Sequence, residues 1–332
     1  MNTKQTKLPR RALLKPLGAL AMGVGAVILG LPAAAVAQDK PAVRILVGFP
    51  PGGSVDVIAR VIGEAMRDDF NTVVENKPGA AGRIALGQLK AAKPDGLTLA
   101  IAPSPGFVLF PHLYKKLDYD ATRDFTPICE LAIQPFAVTT GAASGVKTIQ
   151  ELADKARSNP GSATFGSSGE GSAGHILGAW LEQLLNVKLS HVPFQGGAPA
   201  TVAMLGGHVA YKIDALSETT ELHRTGKARI LAVTGPRRDP QVPDVPTLKE
   251  LGVNMEITAW FALYGPVGIP KDMVDRLSQS AIRAVKRPEV AEKLAKLGFQ
   301  TVGSTPAELA AQQRIDFDAW GKPVKALGLS LD

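Results

Sequence analysis

Cysteine occurs once in these 332 residues, at Cys129. A lone thiol excludes an intrachain disulfide and a cysteine-based zinc site, which leaves core packing as its expected role. Histidine is sparse too: His112, His175, His191, His208 and His223 form no metal-spaced pair, and no G-x-S-x-G elbow is present. Aromatic residues make up 5 % of the chain and interleave with no basic face, so the footprint of a nucleic-acid binder is missing. After residue 37 no apolar run approaches the ~20 residues that a membrane span requires.

Positive charge is also missing once the N-terminus is set aside. Residues 1–37 combine a basic start (Lys4, Lys7, Arg10, Arg11, Lys15), an apolar stretch from Leu17 to Leu31, and Ala35-Val36-Ala37 as a small-x-small site. This is the layout of a cleaved secretory signal, with Gln38 as the expected mature start and no nearby cysteine for a lipid anchor. Pro9-Arg10-Arg11-Ala12-Leu13-Leu14-Lys15 resembles a twin-arginine export motif, although Ser is usual at Pro9 and Phe at Leu13; an ordinary secretory signal explains it equally well. The formal charge of +7 includes the five basic residues of this segment; without them 32 basic residues face 30 acidic ones, about +2.

Glycine is abundant, and its placement is patterned. Val43 to Met66 reads as a short apolar strand, a Pro50-Pro51-Gly52-Gly53 stop, and a helix carrying Val57, Ile58, Val61, Ile62 and Ala65 at helical spacing. The arrangement returns three times. Thr72 to Glu75 leads into Lys77-Pro78-Gly79-Ala80-Ala81-Gly82, Ala163 to Phe165 into Gly166 to Gly174, and Leu189 to Phe194 into Gln195-Gly196-Gly197-Ala198-Pro199. A plain structural turn, with Ser54 as helix cap and Asp56 in the first turn, accounts for the first unit alone. Four such turns suggest more: helix N-termini present unpaired N–H groups and partial positive charge, and ligands of open α/β sheets gather beyond the carboxyl ends of the strands.

The remaining chain supplies the frame. Leu97 to Ala102 reads as a third strand ending at Pro103-Ser104-Pro105-Gly106, which puts Ser104 at the same edge, and Asp118 to Pro127 reads as loop. Phe136 to Thr140 is expected to cross into a second lobe and Ile257 to Tyr264 to return. Thr148-Ile149-Gln150-Glu151, Thr247-Leu248-Lys249-Glu250 and Thr305-Pro306-Ala307-Glu308 are capping boxes that predict helices, the second ended by Gly252. Tyr211-Lys212 on an apolar strand reads as an exposed edge pair. Asp214 closes that strand and could accept from a ligand hydroxyl or amine, or cap the next helix. Ser167, Ser168 and Ser172 offer hydroxyls beside backbone N–H groups.

Nucleotide chemistry is incomplete. Gly169-Glu170-Gly171-Ser172-Ala173-Gly174 matches G-x-G-x-x-G, but no acid follows about 20 residues on, and Ser172 stands where a phosphate loop requires Lys. No nucleophile and base are paired by a motif. No cofactor is expected.

The ordered set FPPGGSVDVIAR (Phe49 to Arg60), ENKPGAAGRIA (Glu75 to Ala85), DFTPI (Asp124 to Ile128), SSGEGSAGH (Ser167 to His175), HVPFQGGAPA (His191 to Ala200), GKARILAVT (Gly226 to Thr234) and VPDVPTLKELG (Val242 to Gly252) resembles the Bug family. These are periplasmic solute receptors of tripartite tricarboxylate transporters, and the likeness covers nearly all of the mature chain. It implies an α/β, two-lobed, type II periplasmic binding protein closing like a Venus flytrap, with lobe 1 at residues 38–138 and 260–332 and lobe 2 at 139–259. The hinge is expected near Thr139–Thr140 and Ile257–Phe261. The resemblance also implies a small carboxylate ligand held by Phe49, Pro51, Gly52, Gly53, Ser54, Asp56, Ala80, Ala81 and Gly82 in the first lobe. Ser167, Ser168, Gly169, Gly171, Ser172, Phe194, Gly196, Gly197 and Ala198 are its counterparts in the second, with Ser104 and Asp214 from the reading of the strand ends. One departure stands out: Gly207-His208-Val209 is followed by Ala210 where family members usually carry Asp, and Tyr211-Lys212 replace apolar residues. A monomeric, non-catalytic receptor delivering to permease subunits is the expected function. A sensor subunit serving a kinase, or an enzyme using the same cleft, are the alternatives.

Overall fold

The strand and helix signals of the first unit fold where the periodicity puts them. In the computed structural model, which describes residues 40–331, the apolar run forms β1 (Ala42–Val47) and the periodic stretch forms α1 (Ser54–Ala65). The expected signal segment lies outside the described residues. There follow β2 (Asn71–Asn76), α2 (Arg83–Lys90) and β3 (Thr98–Pro103). Because β1 is parallel to both β2 and β3, Val47, Asn76 and Pro103 end along one edge.

Two short helices, α3 (Pro105–Val108) and α4 (Phe110–Leu113), lead to β4 (Phe125–Gly141). The second group consists of α5 (Ile149–Ser158), β5 (Thr164–Ser167), α6 (Ala173–Leu185), β6 (Ser190–Pro193), α7 (Gly197–Leu205), β7 (Tyr211–Ala215), α8 (Thr220–Arg224) and β8 (Ala228–Val233). Here β5 is parallel to β6 and β7. The chain returns through β9 (Thr258–Pro266) and ends with α9 (Lys271–Val285), α10 (Pro288–Ala295), β10 (Gln300–Thr301) and α11 (Pro306–Leu327).

Strand β4 holds the two groups together. Phe125 to Pro135 pairs antiparallel with β9, and Phe136 to Thr140 pairs antiparallel with β7, while β8 and β10 also bond to β4. Its prolines sit where a missing N–H costs least: Pro127 at a register shift, and Pro135 at the last β9 pair before the partner changes. Strand pairing thus claims Phe125 and Thr126, which the sequence reads as loop. A second difference concerns Thr247 to Glu250. The Glu250 N–H does donate to Thr247 Oγ1 at 3.0 Å, but Gly252 takes a positive φ of 78° and the Val253 N–H turns back to the Leu248 carbonyl, so only a turn forms. The other two boxes do open helices, α5 and α11.

Register decides where the strand ends meet. Pro103, the last residue of β3, pairs with Phe261, and Phe261 pairs with Ala132 of β4. Ala215, the last residue of β7, pairs with Phe136. The carboxyl ends of both parallel groups therefore converge on residues 132–136 of β4. Beneath them Phe107 stacks on Tyr264 at 4.0 Å, with Trp260 close by, in a fully buried aromatic cluster.

Candidate functional site

The first loop is built around Asp56. This carboxylate is buried; Oδ2 accepts from the Gly52 N–H at 2.8 Å and Arg60 Nε at 3.0 Å, while Oδ1 accepts from Asn76 Nδ2 at 2.8 Å. Asn76 Nδ2 also donates to the Phe49 carbonyl at 3.0 Å, which ties the end of β2 to the loop after β1. Burial alone would raise the Asp56 pKa, but hydrogen bonds from Arg60, Gly52 and Asn76 bring it down to about 2. Asp56 organises the loop from below, with both oxygens occupied. The N-cap of α1 is Gly53, not Ser54, and no side chain caps it. From the first helical turn Asp56 reaches back past the cap to accept from Gly52. The Gly53 N–H itself turns back to the Pro50 carbonyl at 3.4 Å.

The second loop lies directly against the first. Gly79, Ala80, Ala81 and Gly82 all have positive φ, at 134°, 46°, 53° and 91°. Two alanines in the left-handed region are strained, and such strain is retained where surrounding packing over-determines it. The cause is visible: Gly48 abuts the Gly82 backbone, and the Phe49 ring lies over Gly82. Ser104, buried at the end of β3, is held by Trp260; its N–H donates to the Trp260 carbonyl at 2.8 Å, and its Oγ accepts from the Trp260 N–H at 3.4 Å.

In the second group the polar groups are largely spent on one another. Ser167 is fully buried and lies 2.7 Å from His191 Nε2, while its hydroxyl donates to the Gly169 carbonyl and accepts from Ser172 Oγ at 3.1 Å. Ser172 caps α6 by accepting from the His175 N–H, and the Gly171 N–H donates to His175 Nδ1. That bond puts the His175 proton on Nε2. The two imidazoles stack at 3.8 Å, so burial lowers both pKa values, and His175 adds to the effect on His191, which falls to about 4. Ser167 and His191 have the spacing of a nucleophile and its base, a pair that no sequence motif reveals. Ser167 is fully buried in this arrangement.

The third and fourth loops join through backbone: Phe194 N–H donates to the Ser167 carbonyl and Gly196 N–H to the Ser168 carbonyl, while the Phe194 ring packs on Gly166. Ser168 is half-buried and Ala198 exposed beside them. The buried Gly197, at the start of α7, lies against the Glu218 carboxylate. Tyr211 and Lys212 are not edge residues. Strand β7 runs between β4 and β5, and both side chains are 1 % exposed. Lys212 pairs with Glu218, a partner the sequence does not point to, and Asp214, next to last in the strand, lies beside them.

Parallel strands whose glycine-rich turns open helices at one shared edge, on two groups bridged by a single long strand, define a two-lobed α/β periplasmic binding protein fold. The chain belongs to the tripartite tricarboxylate transporter receptor family, whose model matches residues 58–329. Three solved structures agree. MatC of Rhodopseudomonas palustris with bound malate is 30 % identical, covering 86 % of this chain and 99 % of its own, with a TM-score of 0.75. The periplasmic binding protein BugD is 31 % identical over 88 % and 99 %, at 0.76. Rpa4515 of R. palustris with adipate is 28 % identical over 89 % and 100 %, at 0.80. Among the described residues no helix is long and apolar enough to cross a membrane.

Proposed function

We propose that this chain is a periplasmic receptor that captures a small organic carboxylate between two lobes and delivers it to the permease subunits of a tripartite transporter, as a monomer. The convergence of both sets of strand ends on residues 132–136 of β4 carries the reading, because it brings the loops that open α1 and α2 to the edge where the strands of the second group also end. Similar proteins hold malate and adipate. The ligand is held by backbone amides near Ser54 and Ala81 with help from Ser168, since Asp56, Ser167 and the Gly53 N–H are committed to loop structure.

The proposed lobes are residues 38–138 with 260–332 and residues 139–259, and Phe136 to Val138 at the end of the first stretch pair with β7 and β8 of the second. Thr139 and Thr140 are locked in register with Lys212 and Tyr211, so the swivel is better placed at Pro135–Phe136, where pairing passes from β9 to β7. Ligand bridging the lobes stabilises the closed form through contacts the open form does not make. Calorimetry with mono- and dicarboxylates and their amides tests the reading. Carboxylates should bind and amides should not, and equal affinity for acid and amide would overturn it.

A further inference from the structure

Three charged side chains are packed together at the end of β7. Lys212 is 1 % exposed; its Nζ donates to Glu218 Oε2 and lies 4.0 Å from Asp214 Oδ2. Two carboxylates against one ammonium leave one negative charge in surplus when all three are ionised. Consistent with that surplus, burial and then the Asp214 charge push the Glu218 carboxyl above its ordinary range, with Lys212 opposing them.

One acceptor at this point has no donor. Asp214, 7 % exposed, accepts from the Ala215 N–H through Oδ1 at 3.0 Å, but Oδ2 accepts nothing. A buried acceptor without a donor is costly to keep, and this one falls where the strand ends of both lobes converge. Glu218 adds a third feature. Its side chain is one-third exposed, and its carboxylate sits so close to Gly197 that any Cβ there would collide with it. The first residue of α7 thus already lies against a carboxylate of its own chain.

We propose that the second-lobe end of the cleft selects ligands whose far end is a hydrogen-bond donor or a cation, such as a hydroxyl or an ammonium, over ligands with a second carboxylate. This rests on the carboxylate-receptor reading above. A donor satisfies Asp214 Oδ2, and an ammonium also neutralises the surplus charge. A second carboxylate would add a third anion beside the single Lys212 and would have to displace Glu218 from α7. Glu218 and Asp214 determine the specificity, and Lys212 positions Glu218.

The test is calorimetry on the mature chain with two length-matched series of three to six carbons: ω-amino and ω-hydroxy monocarboxylates against α,ω-dicarboxylates. The amino or hydroxy acids should bind at least tenfold more tightly than the matched diacids. Glu218→Gln should narrow that ratio to below threefold, with Asp214→Asn as an independent second variant, each checked for folding by thermal unfolding. Diacids binding as tightly or more tightly would overturn the inference and leave the receptor reading standing. A preference that survives both variants unchanged would overturn its assignment to these residues. Binding of no carboxylate from either series would overturn the receptor reading and this inference with it.

Discussion

Gly48 and Gly82 meet backbone to backbone: a Cβ on Gly48 would stand 2.5 Å from the Gly82 Cα and 2.9 Å from its carbonyl oxygen. Neither loop can relax around an added methyl, because Gly82 itself has a φ of 91° and lies under the Phe49 ring. Gly48→Ala should therefore destabilise the protein by about 1–3 kcal/mol, the usual cost of overpacking, and weaken carboxylate binding as the loops part. Denaturant unfolding and calorimetry on the same variant measure both, and wild-type values for each would show that the loops need not touch.

Asp56 is the second point of control. Replacing it with Asn removes a charge that accepts from Gly52, Arg60 and Asn76, and should cost on the order of 2–3 kcal/mol at neutral pH. Its folded pKa is depressed to about 2, so its contribution is present above the unfolded value near 3.8 and is lost as pH falls through 2. Unfolding curves between pH 2 and 7 should show wild type and Asp56→Asn drawing together at the acid end. A gap that stays constant with pH would count against the carboxylate's charge as the cause.

Glu130 behaves in the opposite sense. Burial, and after it the negative charge of Asp316, raise its pKa to about 7. The folded state thus binds a proton more tightly than the unfolded chain, and stability falls as pH climbs from about 4.5 through 7. Glu130→Gln should remove that loss. The variant should be more stable than wild type at pH 8 by on the order of 3 kcal/mol, with the gain vanishing below pH 4.5. Thermal melts across this range decide it, and a variant less stable at pH 8 would show that the ionised form is favoured.

The stacked pair His175 and His191 should make the third loop acid-sensitive. With the His191 pKa lowered to about 4, its neutral form contributes stability above pH 6.5 that is lost as pH falls toward 4. His191→Asn should flatten that part of the profile. Hydrogen exchange at residues 167–175 offers a local readout, and a loop equally protected at pH 7 and pH 4.5 would contradict the assignment.

Local order along the chain was settled by sequence alone. Period-two and period-3.6 patterns and Pro-Gly stops depend on neighbours within a few residues, so β1, α1, β5, α6 and the capping boxes of α5 and α11 could be read directly. The ordered glycine motifs placed the chain in its family for the same reason. What the sequence could not decide was pairing across distance. Lys212 reads as an edge residue until β4 and β5 are known to cover β7 on both sides, and only then does Glu218 become its necessary partner. Asp56 reads as a helix-dipole residue until Asn76, twenty residues away, is brought to its other oxygen. Ser167 and His191 are separated by a whole helix and meet only because β5 and β6 run side by side. Periodicity records which face of an element is apolar, but not which element will cover it, and the buried charges of this site exist only where that cover is complete.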